Sequence, residues 1–188
     1  MLMTSIQDDK AKLFDILKTQ AFFRERITLS SGKQSDYYFD ARRVTLAAAG
    51  AFYTAKIILA MVKGDRVEAI GGPTLGADPM VGAIASLSHQ MNQPIKTFII
   101  RKAPKAHGKQ QQIEGPLLSD GASVILIDDV ATTGKAFLES LDVTDKMGLK
   151  VKKAICIIDR QEGAGEALAK RGYKLESIFT SADFLNAK

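Results

Sequence analysis

The sequence predicts an α/β fold in which helices flank a central, mostly parallel sheet. From residue 67 onward, strand patterns alternate with helix patterns, which is the order that a parallel sheet with helical crossovers produces. Residues 123–127 show no polar alternation, as in a strand that is buried on both faces. The residues with the most chemical character lie in loops after the predicted strands, where open parallel sheets bind ligands.

A helix, two short strands and a second helix are predicted before the sheet begins. Ser5, followed by Asp8 and Asp9, indicates a helix start, because such side chains accept hydrogen bonds from unpaired main-chain N–H groups. The apolar face of this helix comprises Leu13, Phe14, Ile16, Leu17 and Ala21. The other elements expected here are strands at 27–29 and 37–39, a turn at 31–33 and an alanine-rich helix at 46–61.

The rest of the chain supplies the alternating pattern. The predicted strands are 67–70, 97–100, 123–127, 151–158 and, at an edge of the sheet, 177–179. The predicted helices are 79–91, 134–147 and 163–171. Four loops leave the carboxyl ends of strands and are expected to meet at one edge of the sheet. These loops are 71–78, 101–121, 128–134 and 159–163.

Composition favours one domain, 1–188, in a reducing compartment. The chain has 188 residues, of which 46% are hydrophobic, enough for one well-buried core. No apolar run approaches the ~20 residues of a membrane helix, and residues 1–12 lack a secretory signal. The only cysteine, Cys156, lies in an apolar run and cannot form an internal disulfide. We therefore expect a cytoplasmic protein, with Cys156 packed as a small hydrophobe rather than acting as a nucleophile.

The net charge of +5 suits either nucleic acid or a small polyanion. Nucleic-acid binders usually interleave aromatic side chains with their basic residues. The densest basic stretch, 101–109, contains no aromatic residue. This stretch therefore favours a trap for a small phosphate compound, with no nucleic-acid partner.

Residues 124–134, which read VILIDDVATTG, form the most informative stretch. A buried strand enters two acids, then a turn that offers main-chain N–H groups and hydroxyls at a helix start, which suits a phosphate monoester. Asp128 and Asp129 can accept hydrogen bonds from vicinal ribose hydroxyls or hold metal-bound water. Alternatively, the acids cap the helix and Thr132 and Thr133 shape the loop. Adjacent buried acids repel each other, which favours the functional interpretation.

The loop at 101–121 is long and has no periodicity, as in many functional lids. Its basic residues are Arg101, Lys102, Lys105, His107 and Lys109. Mobile cations that close over a site can stabilise a highly charged leaving group such as pyrophosphate. The alternative is a solvated basic loop.

Residues 124–134 resemble the signature of type I phosphoribosyltransferases that binds phosphoribosyl pyrophosphate (PRPP). The stretch RKAPKAHG at 101–108, followed by IEG at 113–115, closely resembles the catalytic loop of orotate phosphoribosyltransferases. Residues 29–39 resemble the N-terminal substrate segment of that family, and the glycine-rich loop 71–79 resembles its pyrophosphate loop. DRQE at 159–162 matches a further segment of the family. The resemblance implies a type I phosphoribosyltransferase fold, with a small N-terminal hood (1–45) and a long, flexible catalytic lid (101–121). It also implies a glycosyltransferase that joins PRPP to orotate, giving orotidine 5′-phosphate and pyrophosphate in pyrimidine (UMP) synthesis.

The resemblance assigns roles to individual residues. The implied PRPP site comprises Arg101, Lys102, Lys105, His107, Asp128, Asp129, Val130, Ala131, Thr132, Thr133, Gly134, Lys135 and Ala136. Within it, residues 132–136 would hold the 5′-phosphate and the two acids would face the ribose. The implied catalytic residues are Arg101, Lys105, His107, Asp128 and Asp129. In a homodimer, Arg101, Lys105 and His107 would act on the neighbouring subunit, and Lys102 on its own. Mg²⁺ is expected near the acids through PRPP and water, without direct protein ligands.

The residues implied to bind orotate are Thr132, Arg160, Tyr38 and Phe39. Arg160 can form a bidentate pair with the orotate carboxylate, or instead a surface salt bridge with Glu162. The rings of Tyr38 and Phe39 can instead pack within a sheet. Ser30 and the loop at 74–76 stand where some relatives carry lysine, and Ala136 where many carry serine. Two rival functions are a phosphoribosyltransferase for another base and a non-catalytic PRPP sensor that binds nucleic acid.

Overall fold

The computed structural model describes residues 5–28, 34–103 and 112–187. The helices are α1 (Ile6–Gln20), α2 (Arg42–Thr45), α3 (Ala48–Met61), α4 (Asp78–Gln90), α5 (Lys135–Lys146), α6 (Ala164–Ala169) and α7 (Ser181–Leu185). The strands are β1 (Phe22–Phe23), β2 (Ile27–Thr28), β3 (Gln34–Ser35), β4 (Tyr38–Phe39), β5 (Ala69–Pro73), β6 (Lys96–Ile100), β7 (Ile113–Glu114), β8 (Ser123–Ala131), β9 (Lys150–Asp159) and β10 (Leu175–Thr180). Over these ranges, every helix falls short of the length and apolarity that a bilayer crossing needs.

The central sheet confirms the predicted fold class. Its six strands follow the order β10-β9-β8-β5-β6-β7. All neighbouring pairs are parallel except β6 and β7, which are antiparallel. Along β8, Ile125 and Ile127 face the apolar cluster that α1, α3 and α4 cover, while Val124 and Leu126 face the cluster under α5 and α6. Helices therefore bury both faces, which explains the apolar run of β8.

The first helix begins where the sequence predicts. Ser5 Oγ accepts a hydrogen bond from the Asp8 main-chain N–H, and Asp8 Oδ2 accepts one from the Ser5 N–H, both at 3.1 Å. This reciprocal capping satisfies two N–H groups that a helix end otherwise leaves unpaired. Leu13 and Leu17 are fully buried and fix α1 against the core.

The N-terminal strands form two separate antiparallel pairs. The strands expected on either side of a turn are both present, but they are not partners; the turn at 31–33 lies outside the described residues. Instead β2 pairs with β3, and β4 pairs with β1, with Phe22 opposite Phe39. The rings of Phe22 and Phe39 stack 5.0 Å apart, next to Phe184. Burial of this aromatic group favours the observed pairing.

Cys156 lies in β9 with no exposed surface. Burial raises the pKa of its thiol well above the ordinary value, and the nearby acid Asp159 adds to the shift. The thiol therefore stays protonated, which agrees with the predicted packing role and not with nucleophilic catalysis.

Candidate active site

Three adjoining cavities lie at the carboxyl edge of the sheet. The first, of about 360 Å³, is lined by Lys102, Asp128, Val130, Ala131, Thr132, Thr133, Gly134, Lys135, Ala136, Phe137 and Glu139. The second, also about 360 Å³, includes Pro73, Thr74, Ile100, Arg101, Lys102 and Gln112. The third, of about 170 Å³, is lined by Phe39, Asp40, Ala41, Arg42, Gly76, Asp129 and Val130. Because Lys102 and Val130 are each shared by two cavities, the three surround one site centred on the two acids.

The turn at 132–134 leads into the start of α5 with an open cradle of main-chain N–H groups. Gly134 has a φ of +81°, a left-handed conformation that strains other residues. No side chain in the described part of the chain caps this helix start. The first N–H groups of α5 are therefore available to an anion, as a phosphate site at a helix N-terminus requires.

The acid pair, Asp128 and Asp129, is held by its own main chain. The Asp129 N–H donates to Asp128 Oδ1 at 2.9 Å, and the Val130 N–H donates to Asp129 Oδ1 at 2.8 Å. Neither acid caps α5, so the helix-capping alternative is wrong. Burial raises the pKa of Asp128 well above its usual value, and the charge of Asp129 raises it further. Burial also raises the pKa of Asp129, against the opposing effects of the Val130 N–H and the charge of Arg42.

The glycine loop, residues 71–78, packs directly on the acid pair. A Cβ atom at Gly76 would overlap Asp128 Oδ1 and would lie 2.7 Å from Asp129 Oδ1. A Cβ atom at Gly72 would overlap the Ile127 carbonyl oxygen. Thr74 Oγ1 donates to Asp78 Oδ2 at 2.7 Å and closes the loop from within. This close approach explains why glycines occupy positions 72 and 76. It is also tighter than an ordinary strand-to-helix turn requires.

The base of the lid is clamped between β6 and β7. Arg101 donates its main-chain N–H to the Gln112 carbonyl at 2.8 Å, and its Nη1 lies 3.1 Å from Glu114 Oε1. Sequence periodicity did not reveal β7, because its two residues form too short a pattern. Lys105 and His107 lie outside the described residues, so their predicted roles are not tested.

Arg160 is buried, with only 4% of its surface exposed. Its Nε donates to Glu162 Oε1 at 2.8 Å and its Nη2 to Ser35 Oγ at 3.0 Å. The guanidinium also lies 4.5 Å from the centre of the Tyr37 ring. The alternative pair with Glu162 is thus present, but it is buried and leaves Nη1 without a partner among the described residues. A guanidinium held in this way suits recognition of a planar carboxylate.

The aromatic residue beside Arg160 is Tyr37, which the sequence prediction did not name. Phe39 is buried against Phe22 and Tyr37, and Tyr38 stacks with Phe23 on the other side of the strand. Sheet packing therefore accounts for the rings of Tyr38 and Phe39, and their contact with a base stays a prediction. Side chains two residues apart along a strand lie on the same face. Because Tyr37 and Phe39 have this spacing, the sequence could have indicated Tyr37 as a further candidate.

Comparisons with known proteins agree on one family. Residues 42–184 match the family described as phosphoribosyl transferase domain. The orotate phosphoribosyltransferase of Rhodopseudomonas palustris (strain TIE-1) is 36% identical over 182 residues, which cover 94% of this chain and 96% of that protein. The orotate phosphoribosyltransferase of Nostoc sp. is 40% identical over 174 residues, covering 93% and 84%. The solved structure of Mycobacterium tuberculosis orotate phosphoribosyltransferase with PRPP superposes with a TM-score of 0.78 at 30% identity, covering 94% of this chain and 98% of that one.

Proposed function

Because the chain belongs to the orotate phosphoribosyltransferase family, we propose that it transfers the phosphoribosyl group of PRPP to orotate. The products are orotidine 5′-phosphate and pyrophosphate, in pyrimidine synthesis. One observation carries the proposal: an acid pair, with Asp128 buried and Asp129 partly exposed, lies between an uncapped helix start and a loop of glycines in one continuous site. Such a site offers an anion cradle and ribose-hydroxyl acceptors side by side.

The proposed reaction is a displacement at C1′ of the ribose. Pyrophosphate leaves as the cations of the lid, Arg101, Lys102, Lys105 and His107, take up its charge. C1′ becomes oxocarbenium-like, and N1 of orotate attacks from the opposite face and gives up its proton, which the departing pyrophosphate can accept. The acid pair accepts hydrogen bonds from the ribose hydroxyls, and residues 132–136 hold the 5′-phosphate. Since no covalent nucleophile is required, positioning and electrostatic stabilisation supply the catalysis. His107 can also protonate pyrophosphate, since an ordinary histidine pKa is ~6.5.

The acid pair fits Mg²⁺ as the metal of the reaction. Carboxylate oxygens can accept hydrogen bonds from metal-bound water, and Mg²⁺ usually keeps several waters and binds substrate phosphates, so the pair would hold the ion through water and PRPP without direct ligation. When bound, the ion supplies positive charge at the pyrophosphate oxygens. Activity is expected to disappear in excess chelator and to return with Mg²⁺. Full turnover in chelator would contradict the metal requirement.

Arg160 is the proposed partner of the orotate carboxylate, because its guanidinium is buried and already oriented. Removal of one charged hydrogen bond costs about 1.5–3 kcal/mol, so Arg160→Ala should lower kcat/KM for orotate by about ten- to hundredfold. Binding of PRPP, measured by calorimetry, should change little. Arg160→Lys, which keeps a charge without the planar fork, should recover only part of the loss. Unchanged kinetics with orotate in both variants would show that the base pocket lies elsewhere.

We propose that the enzyme is a cytoplasmic homodimer with shared sites and no nucleic-acid or membrane partner. Leu46 and Leu75, with 73% and 60% of their surfaces exposed, line a cavity of about 550 Å³ beside the site. Exposed leucines next to a site are candidates for coverage by a second subunit. The single, buried Cys156 supports a reducing compartment.

The direct test follows the loss of orotate absorbance after addition of PRPP and Mg²⁺. The same assay with adenine, guanine and uracil separates this proposal from transfer to another base. Consumption of a purine in preference to orotate would overturn the substrate assignment. An absence of turnover with every base, together with salt-sensitive binding of DNA, would favour a PRPP-sensing regulator.

A further inference from the structure

The glycine loop presents no cation to the acid pair on which it packs. Residues 74–77 read TLGA, and all four are neutral. Their neighbours Asp128 and Asp129 are acids, and the diphosphate of PRPP would bring several more negative charges to the same place. Like charges in a partly desolvated site repel strongly. Besides the proposed Mg²⁺, positive charge at this place would therefore come from the elements that surround the loop.

One flank of the glycine loop has such cations. Arg101 and Lys102 line the same cavity as Pro73 and Thr74. On the other flank, the cavities that include Leu75 and Gly76 are lined by Arg42, from the first position of α2. Arg42 therefore lies across the loop from the base of the lid.

The charge of Arg42 reaches the acid pair, and its donors remain open. Arg42 and Asp129 line the same cavity of about 170 Å³. Burial raises the pKa of Asp129, and the positive charge of Arg42 opposes that rise. The Nε atom of Arg42 lies 3.7 Å from Asp40 Oδ1, which is too long for a hydrogen bond. Along the described ranges the guanidinium has no other partner, so its four Nη–H groups are free to bind an anion.

We propose that Arg42 is a PRPP-binding residue whose guanidinium contacts the diphosphate on the flank of the glycine loop opposite Arg101 and Lys102. The proposal rests on the function proposed above. A guanidinium suits this position because its planar fork binds two phosphate oxygens at once and stays charged throughout the working pH range. Arg42 would also offset the charge of Asp129 before the substrate arrives.

The neighbouring residue, Arg43, provides a matched control. Its Nε lies 3.5 Å from the same carboxylate, Asp40, and its guanidinium lies 4.8 Å from the ring centre of Phe23. Arg43 lines the outer cavity of about 550 Å³ together with Arg42, but it does not line the inner cavity with Asp129. Replacement of Arg43 removes the same charge beside Asp40 as replacement of Arg42 does, and it alters the same outer cavity. It leaves the surroundings of the acid pair unchanged.

The test compares Arg42→Gln, Arg42→Lys and Arg43→Gln with the unmodified enzyme. Calorimetry measures PRPP binding in Mg²⁺, and steady-state kinetics give separate KM values for PRPP and orotate. Arg42→Gln should weaken PRPP binding about tenfold or more, with KM for orotate changed less than about twofold. Arg42→Lys should fall between Arg42→Gln and the unmodified enzyme, and Arg43→Gln should match the unmodified enzyme.

Three outcomes would overturn the assignment of Arg42. The first is that the Arg42→Gln and Arg43→Gln variants bind PRPP with equal affinity. The second is that Arg42→Gln impairs the use of orotate as much as the binding of PRPP. The third is that Arg42→Lys binds PRPP as tightly as the unmodified enzyme. The lysine comparison decides the matter if the glutamine variant fails to fold. Failure of the unmodified enzyme to bind PRPP would instead refute the proposed function, so the two failures are distinguishable.

Discussion

Ionisation of the acid pair opposes folding. Burial and the charge of Asp129 raise the pKa of Asp128, so the folded chain binds this proton more tightly than the unfolded chain does. The resulting stability is complete below the unfolded pKa of ~3.9 and is lost as pH rises through the higher folded pKa. The double variant Asp128→Asn with Asp129→Asn has no carboxylates at these positions, so its stability should not fall with pH in this way. At pH 8 we expect it to be more stable by about 1 kcal/mol or more, which raises Tm by about 2–4 °C.

Thermal unfolding of both proteins between pH 4 and pH 8 measures this effect. The difference in Tm should grow with pH, while PRPP binding by the double variant should be lost. A Tm that falls in the double variant at pH 8 would show that the acids serve the fold rather than the substrate.

Gly76 is expected to be essential for function because the glycine loop leaves no room for a side chain there. In Gly76→Ala the new Cβ would displace the carboxylates of the acid pair, so PRPP affinity should fall by about tenfold or more. Gly82→Ala in α4 is the control, since its Cβ would meet nothing within 4 Å. That change should leave affinity intact and stabilise the helix by about 0.5–1 kcal/mol. Equal PRPP affinities of the two variants would contradict the close packing of the loop.

Site residues that lie in one contiguous motif could be predicted from the sequence. Site residues that only folding brings next to that motif could not. The acid pair and residues 132–136 follow one strand, so their proximity was visible in the sequence. Ser35 and Tyr37 meet Arg160 only because the N-terminal segment folds back over the end of β9. Arg42 lacks any motif, since an arginine that neighbours another arginine near a helix start is an ordinary surface residue in a sequence.

At the scale of elements, one ion cluster ties α3, β9 and β10 together at the end of the sheet away from the site. Lys153 Nζ lies 2.9 Å from Asp65 Oδ2 and 3.0 Å from Glu176 Oε2, and it donates to the Met61 carbonyl at 3.1 Å. Lys153→Met would leave two acids without this cation, so we expect a loss of about 1–3 kcal/mol. Catalysis should be unaffected at temperatures where the variant is folded.

Lys152→Met is the control, because Lys152 is exposed beside Lys153 in β9. Chemical denaturation should show the loss of stability only in the Lys153 variant. Burial lowers the pKa of Lys153, but its hydrogen bonds to Asp65 and Glu176 outweigh this, and the pKa is raised. The stabilisation should therefore persist at neutral pH and disappear only as pH rises above ~10.4. Identical denaturation curves for the two variants would show that the cluster is only a surface contact.

Long elements were predictable, whereas short ones were not. The helices and strands of the alternating half reach their predicted positions within a few residues, because periodicity and burial act together over many residues. The structure adds α2, α7, β1, β3 and β7, which have two to five residues each. Such segments carry too few side chains for a pattern, and tertiary contacts such as the stacking of Phe22 on Phe39 decide their form.

For the whole molecule, the sequence established the class of sheet and the edge at which the site lies. Parallel strands joined by helices leave their carboxyl ends at one edge, and every motif except the N-terminal segment 29–39 followed such an end. Periodicity does not predict how subunits assemble, because their pairing depends on surfaces that are formed only by folding. Leu46 and Leu75 come together beside the site only in the folded chain.

The proposed homodimer with lids exchanged between subunits predicts complementation. Lys105→Ala damages the lid, and Asp128→Asn with Asp129→Asn damages the core of the site, so each homodimer should be nearly inactive. When the two proteins are unfolded and refolded together, random pairing makes about half of the dimers mixed. If each site takes its core from one chain and its lid from the other, a mixed dimer has one intact site. About a quarter of all sites should then be active.

The control replaces the lid variant with Arg160→Ala, which damages the core of the other chain. Every site in that mixed dimer keeps one damaged core, whether or not the lids exchange, so activity should stay at the level of the parents. Differently tagged chains that purify together establish that mixed dimers form in both experiments. Recovery with the lid variant but not with Arg160→Ala requires that the two subunits share their sites. Co-purification without recovery in either mixture would place Lys105 over the site of its own subunit, and the exchange of lids would be wrong.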